Sequence, residues 1–153
     1  MYYTIQLVRN RDATIKQERV INELVTMAAA PGVSFRERKY VEALVHRLNS
    51  RSFEAIQSWS DILVEHPTDI LALRFVVDLC FFTGRHDQMR DSAARVMPIW
   101  TSSKSPLKKY VHGLYAFGLV ESGNYRKAEV VARQVRLCVS ENRMSNCSIF
   151  RNL

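Results

Sequence analysis

Residues that break regular structure are scarce in this chain of 153 residues, which contains five glycines and four prolines. That composition suits helices joined by short turns and argues against a fold of many short strands. The sequence also lacks any apolar run of the roughly 20 residues that a helix needs to cross a bilayer. We therefore predict an all-α protein with no membrane span and no membrane partner.

Cysteine is scarce too, and the three thiols of Cys80, Cys138 and Cys147 leave one without a disulfide partner. Arg9 and Arg11 interrupt the one short apolar stretch near the first residue, so this stretch does not have the pattern of a secretory signal. We therefore expect a reducing compartment and a cytoplasmic location.

The sequence lacks the residue patterns that are typical of catalytic and metal sites. His46, His66, His86 and His112 stand apart, so no pair of them shares a helical face at the spacing of metal ligands. Cys80 lies in an apolar segment without a paired histidine, and the chain has no glycine-rich phosphate loop and no nucleophile elbow. The sequence thus predicts no catalytic residue, no metal site and no cofactor, and a protein that is not an enzyme.

The net charge is +7. Residues 1–33 carry four basic and three acidic side chains, residues 34–134 fifteen and eleven, and residues 135–153 three and one. We interpret this excess as spread along the chain, and no run of Lys and Arg stands beside interleaved aromatic residues. A nucleic-acid partner is therefore not indicated, and a solvated basic surface is the preferred interpretation.

What the sequence does contain is helical periodicity, and its clearest part runs from Ser52 to Gly84. Apolar residues recur every three or four positions between Phe53 and Glu65, which places them on one side of a helix. Pro67 cannot continue that helix, and Thr68 or Asp69 can cap the next one. The second helix, 70–82, is apolar around most of its circumference, as in an element covered on several sides.

A repeat follows from the spacing of equivalent positions. The interval from Ala55 to Met89 equals the tetratricopeptide period of about 34 residues, with two antiparallel helices per repeat. The interval from Met89 to Ala128 is longer by a short insertion, for which the loop-like segment 99–106 has room. Gly84 and Gly123 are separated by this same longer interval, and each falls where the two helices of a repeat would be joined. We therefore predict tetratricopeptide-type helical-hairpin repeats, an α-solenoid.

The predicted organisation has three parts. Residues 1–33 form a partial repeat, its second helix only, after an irregular start; residues 34–134 form three repeats; residues 135–153 form an irregular, disordered tail. Ser34 and Glu37 match a capping box at the start of the first full repeat. Asp87 is the expected cap of a later helix that Pro98 interrupts, and Ser105 the expected cap of the third repeat.

Three segments are distinctive beyond the general repeat pattern: His66–Phe75, Gln88–Thr101 and Tyr110–Glu121. They resemble the tetratricopeptide repeat protein 38 family, and the similarity extends over roughly residues 17–134. The resemblance implies stacked helical repeats in a cytosolic setting and supplies no functional residue. Because family members are longer at both ends, we expect a fragment or a truncated isoform, with the tail after Gln134 translated from beyond a splice junction.

In such arrays the first helix of each repeat lines a concave face that takes extended or helical peptides. The repeat register projects seven residues to that face: Tyr40, Leu44, Arg47, Arg74, Asp78, Tyr110 and Phe117. They do not match the Lys and Asn pattern of carboxylate-clamp modules, so a receptor for chaperone tails is disfavoured. Either these residues form an open peptide groove, or Leu44 and Phe117 are covered by further helices of a longer superhelix.

We therefore predict a non-enzymatic protein-interaction scaffold with a protein or peptide partner. One alternative is an inert or truncated fragment of a longer helical-repeat protein. The other is a basic helical module that binds nucleic acid.

Overall fold

The structure is a computed structural model that describes the backbone of residues 11–141 and the side chains of residues 19–134. This part of the chain is all-helical and contains no strand. Its seven helices are α1 (Arg11–Ala28), α2 (Phe35–Leu48), α3 (Ser52–Glu65), α4 (Ile70–Phe82), α5 (His86–Ser102), α6 (Lys108–Glu121) and α7 (Tyr125–Glu141). The chain separates into two compact units that divide between Thr83 and Gly84.

Side-chain caps fix where two helices of the first unit begin. At the start of α2, the Ser34 hydroxyl accepts a hydrogen bond from the Glu37 N–H (3.2 Å), and the Ser34 N–H donates to the Glu37 carboxylate (2.9 Å). The predicted capping box is therefore confirmed. At the start of α4, Asp69 Oδ1 accepts from the N–H groups of Leu71 and Ala72, each at 3.1 Å. Both caps satisfy backbone donors that have no partner within the helix.

In the first unit, α2 packs against α1 and α3, and α3 also packs against α4. The buried apolar residues come mainly from the periodic positions of α3 and α4: Ala55, Ile56, Trp59, Ile62, Leu63, Ala72, Leu73, Val76, Val77, Leu79 and Cys80. The Trp59 ring stacks on the Phe75 ring of α4, with a centroid distance of 4.9 Å and an interplanar angle of 26°. Trp59 therefore joins α3 to α4.

In the second unit, α6 packs against both α5 and α7. Gly118 marks the closest approach of α6 to α5, because a Cβ atom built on it would lie 2.9 Å from the Arg90 Cα atom. Such a distance is too short for any side chain, so the two helix backbones meet at this point. Sequence periodicity gave no sign of this contact, which joins residues far apart along the chain.

Three turns share one local geometry. Ser50, Gly84 and Gly123 each lie two residues after a helix end and two before the next helix, with φ angles of 58°, 69° and 75°. At Gly123, the N–H donates to the Val120 carbonyl (3.0 Å), and the Asn124 N–H donates to the Leu119 carbonyl (2.7 Å). These two bonds form a Schellman motif, which uses a left-handed residue at the C′ position.

The turn at Ser50 has the same two bonds, since the Ser50 N–H donates to the Arg47 carbonyl (3.3 Å) and the Arg51 N–H to the His46 carbonyl (2.9 Å). A serine therefore occupies the position that glycine takes in the other two turns. Serine carries no sequence signal for this conformation, which is why the equivalence was not visible from glycine spacing alone.

The helix after each of these turns has a buried residue at the same position. Ala55, Met89 and Ala128 each lie three residues after the first residue of their helix, in α3, α5 and α7, and all three are buried. The three positions that the sequence aligned by their spacing therefore also match in helix position and in burial.

Two predicted details of α5 were wrong. Helix α5 does not stop at Pro98 but continues to Ser102, because buried Val96 and Trp100 on either side hold the turn in place despite the missing N–H. Asp87 is not the cap of α5. It lies inside the first turn, and its carboxylate pairs with the Arg90 guanidinium at 2.8 Å.

The start of the third predicted repeat also differs in detail. The Ser105 hydroxyl accepts from the Leu107 N–H at 3.2 Å, but this bond closes a turn that precedes α6 and not the helix itself. Helix α6 then runs from Lys108 to Glu121.

The boundary predicted at Gln134 is not a helix end, because α7 continues to Glu141. Of the tail predicted for residues 135–153, residues 142–153 lie outside the described residues, as do residues 1–10 of the predicted irregular start. Across residues 11–141, no helix combines the length and the apolar character required to cross a membrane.

Replacement of Trp59 by alanine should lower the free energy of unfolding by about 3–5 kcal/mol, the range for a buried aromatic side chain. Trp59 is 3% exposed, whereas Phe53 on the same helix is 50% exposed. Phe53→Ala is therefore the matched control and should change stability little. Urea denaturation of both variants measures the difference, and equal midpoints for Trp59→Ala and the parent protein would remove Trp59 from the core.

Replacement of Gly123 by valine should loosen α7, because a β-branched residue is strained at a positive φ angle, at a cost of about 1–2 kcal/mol. No atom lies near the added Cβ, so backbone strain is the whole effect. Gly123→Asn is the control, since asparagine tolerates this conformation.

Hydrogen exchange in the Gly123→Val protein should show lost protection in residues 125–134 and unchanged protection in residues 35–65. Equal loss in both ranges would show a single cooperative unit and would contradict this expectation.

Candidate binding face

The candidate site is built around Asp69, which joins the first turns of α2 to the start of α4. Its carboxylate accepts from the Arg36 Nε atom (2.6 Å) and from the Tyr40 hydroxyl (2.8 Å), in addition to the two backbone N–H groups that it caps. The Asp69 side chain is only 2% exposed. Four donors therefore surround a buried carboxylate, as a buried charge requires.

The same contacts set the protonation of this group. Burial alone would raise the pKa of Asp69, but hydrogen bonds from the Ala72 N–H, Tyr40 and Arg36 outweigh burial and lower the pKa. Burial and the bond to Asp69 together raise the pKa of Tyr40. The tyrosine therefore stays a neutral donor, and the carboxylate stays charged.

Three of the predicted face residues lie along α2. Tyr40, Leu44 and Arg47 are separated by four and three positions, which places them on one side of the helix. Tyr40 and Leu44 are half-buried and Arg47 is exposed. Among the described side chains, none forms an ion pair with Arg47. Tyr40 thus helps to hold the helices together through Asp69, whereas the charged Arg47 side chain is exposed to solvent.

Two further predicted residues pair on α4. The Arg74 Nε atom lies 2.9 Å from Asp78 Oδ1, one helical turn away. Burial raises the pKa of Asp78, although the Arg74 charge opposes that shift. Arg74 and Asp78 therefore form a half-buried ion pair.

Helices α2 and α4 are both antiparallel partners of α3, so they run in the same direction from the Asp69 contact. At about 1.5 Å per residue, Leu44 and Arg74 lie about 6–8 Å beyond that contact along their helices, and Arg47 and Asp78 about 10–14 Å beyond it. The structure thus places all five residues of the first unit on two helices anchored at one point.

Tyr110 and Phe117 belong to the second unit. They lie two helical turns apart on α6, which places them on one side of that helix, and both are half-buried.

A second polar cluster joins α2 to α3 and was missed by sequence reasoning. Lys39 Nζ lies 3.0 Å from Glu42 Oε2 and 3.1 Å from Asp61 Oδ2, and His46 Nε2 lies 3.7 Å from Glu42 Oε1. The buried Ser58 hydroxyl donates to Glu42 at 3.2 Å. The sequence did contain a signal for this cluster, because residues 39, 42 and 46 are spaced so that they lie on one side of a helix.

This cluster does not have the form of a catalytic site. The hydrogen bond that Lys39 donates to the Glu42 carboxylate raises the pKa of Lys39, so the lysine remains a cation. Burial would raise the pKa of Glu42, but Lys39 and Ser58 lower it. Ser58 is buried and bonded to a carboxylate that is held ionised, so it has no exposed nucleophilic oxygen. The cluster therefore ties two helices together.

Other chemistry-bearing residues have structural roles. His112 is buried, and its Nδ1 atom lies 2.8 Å from the Lys108 carbonyl oxygen, one turn earlier in α6. Cys80 is a buried free cysteine. Within the residues that the structure describes, no group of three or more His, Cys, Asp and Glu side chains is arranged to hold a metal ion.

The distribution of charge differs from the sequence interpretation. Up to Thr83 the chain has ten basic and ten acidic residues, whereas from Gly84 onward it has twelve and five. The whole net charge of +7 therefore belongs to the second unit. The expectation of an evenly spread excess is wrong, because it divided the chain at predicted repeat boundaries that cut across the compact units.

The Asp69 contacts predict a specific loss of stability in acid. Because its pKa is lowered on folding, the ionised carboxylate stabilises the folded state above its unfolded pKa of about 3.9, and this stabilisation is lost as the pH falls through the folded pKa. Asp69→Asn keeps a capping oxygen but removes the charge.

The variant should therefore be about 1–3 kcal/mol less stable than the parent protein at pH 7. That difference should shrink as the pH falls below about 4, since the parent then loses the charge as well. Urea denaturation across this pH range gives both curves. A difference that stays constant with pH would show that the Asp69 charge does not act as described.

No protein-family model matches this chain, and no solved structure gives a significant match. The resemblance to the tetratricopeptide repeat protein 38 family therefore stays a prediction.

Proposed function

We propose that this chain is a non-enzymatic protein-interaction scaffold built from tetratricopeptide-type helical repeats, similar to the tetratricopeptide repeat protein 38 family. The observation that carries the proposal is the recurrence of one turn at Ser50, Gly84 and Gly123, followed in each case by a buried residue at the same helix position. Recurrence of turn, register and burial at intervals of about 34 residues is typical of this repeat class.

The binding face of the first unit is the side of α2 and α4 that begins at Asp69. The tether from Arg36 and Tyr40 to Asp69 fixes the two helices before any ligand arrives, which lowers the entropy cost of binding. Leu44 supplies partly buried apolar area. Arg47 supplies an exposed cation for which no carboxylate partner exists among the described side chains.

The ligand that fits such a face is a peptide with an apolar side chain for Leu44 and an acidic group for Arg47. Arginine is enriched among the residues that dominate binding energy at interfaces. Tyr110 and Phe117 on α6 are the corresponding candidates in the second unit.

A second candidate is a segment of a longer helical array, in which further helices cover these residues. The exposure of Val130 on α7 favours it, since this apolar side chain is 57% exposed. In an array of stacked repeats, the side of a helix that packs against the next repeat is apolar.

The test is selection of binding peptides from a random library displayed on phage, followed by affinity measurement on two arginine variants. Arg47→Ala should weaken the selected peptides about tenfold, because loss of an arginine at an interface centre costs more than about 1 kcal/mol. Arg38→Ala is the matched control. Both arginines are exposed on α2, and the helical period of about 3.6 residues per turn places Arg38 on the opposite side.

Selected peptides that bind both variants equally would place the ligand elsewhere. A library that yields no binder would contradict the open face and favour the longer array.

A further inference from the structure

The two ends of the α5 and α6 pair differ in their acidic residues. At one end, His86 Nδ1 on α5 lies 3.7 Å from Glu121 Oε2 on α6, and Asp87 and Asp91 in the first turns of α5 pair with Arg90 at 2.8 and 2.7 Å. At the other end, the Lys108 amino group donates to the Thr101 carbonyl oxygen, so the end of α5 meets the start of α6. Basic and acidic side chains are therefore paired at the first of these ends.

The second end is cationic. We call it the α5–α6 corner and define it by Ile99, Lys104, Leu107, Lys108 and Lys109. The sequence has no Asp or Glu between Asp91 and Glu121. Among the described side chains, no ion pair involves Lys104 or Lys108, and Lys104 is exposed. Lys104 and Lys108 therefore contribute positive charge at this corner that no described carboxylate neutralises.

Apolar side chains are exposed at the same corner. Ile99 in the last turns of α5 is 45% exposed, and Leu107 immediately before α6 is 47% exposed. Helix α5 holds Ile99 on a defined backbone, since Val96 and Trp100 beside it are buried. Aliphatic side chains next to lysines form a surface that is both apolar and cationic.

We propose that the α5–α6 corner binds an acidic protein segment in which apolar side chains stand among Asp and Glu residues. Lys104 and Lys109 attract the carboxylates, and Ile99 and Leu107 pack against the apolar side chains. Charge complementarity of this kind raises the association rate, and apolar burial lowers the dissociation rate. This corner lies in the second unit, so the inference does not depend on the α2 and α4 face.

The composition of the corner favours protein over nucleic acid. Proteins that bind single strands use aromatic side chains on which bases stack. The exposed apolar residues of the corner are aliphatic instead, and its cations are lysines, which lack the two-pronged phosphate contact of arginine. The patch is also short compared with surfaces that neutralise many phosphates.

The experiment is fluorescence anisotropy with three labelled probes. The first is a peptide of about 12 residues in which Asp and Glu alternate with Leu, which spans about 40 Å when extended. The second replaces its acids by Asn and Gln. The third is a single-stranded RNA of comparable length. The acidic peptide should bind, its affinity should fall as salt screens the charges, and the amide peptide should bind at least tenfold more weakly.

Matched variants locate the site. Lys104→Gln with Lys109→Gln should weaken the acidic peptide about tenfold. Arg126→Gln with Lys127→Gln removes the same charge at the start of α7 and should leave the affinity unchanged. Ile99→Ser with Leu107→Ser should also weaken binding about tenfold, since both residues are exposed and can be replaced without loss of core packing.

Each contrary result overturns the proposal. Equal effects of the two double charge variants would show attraction to net charge alone. Tighter binding of RNA than of the acidic peptide, lost in Lys104→Gln with Lys109→Gln, would assign the corner to nucleic acid. No binding of the acidic peptide at low salt would remove the site.

Discussion

The buried Asp69 carboxylate is the interaction on which the first unit depends. It caps α4 through two backbone N–H groups and holds α2 through Arg36 and Tyr40, so one side chain fixes both the start of one helix and the position of another. A buried charge with four donors is stable only while all of them remain in place, because an unpaired buried charge is costly. The arrangement therefore favours one geometry of α2 relative to α4 over alternatives.

Local signals in the sequence predicted most of the helices and their ends. The capping box at Ser34, the cap at Asp69 and the left-handed turns at Gly84 and Gly123 each depend on residues within about five positions. Pro98 was misjudged, because burial of its neighbours overrides its intrinsic preference. The prediction of an all-α chain follows from the same local signals.

Contacts between distant residues could not be predicted in this way. The bonds from Arg36 and Tyr40 to Asp69 and the approach of Gly118 to Arg90 join residues about 30 positions apart, and periodicity carries no information on such pairs. The predicted face residues were chosen from a repeat register. The register placed Tyr40, Leu44 and Arg47 on one side of α2, but it did not show that Tyr40 already has a structural partner. The concentration of the net charge in the second unit became visible only with the boundary at Thr83.

A double-mutant cycle on Tyr40→Phe and Asp69→Asn tests the central claim most directly, because it isolates the energy that couples α2 to α4. Unfolding free energies of the parent protein, the two single variants and the double variant should give a coupling of about 1–2 kcal/mol, as expected for a part-buried hydrogen bond to a charged group. A coupling close to zero, with both single variants folded, would show that Asp69 does not hold the two helices together.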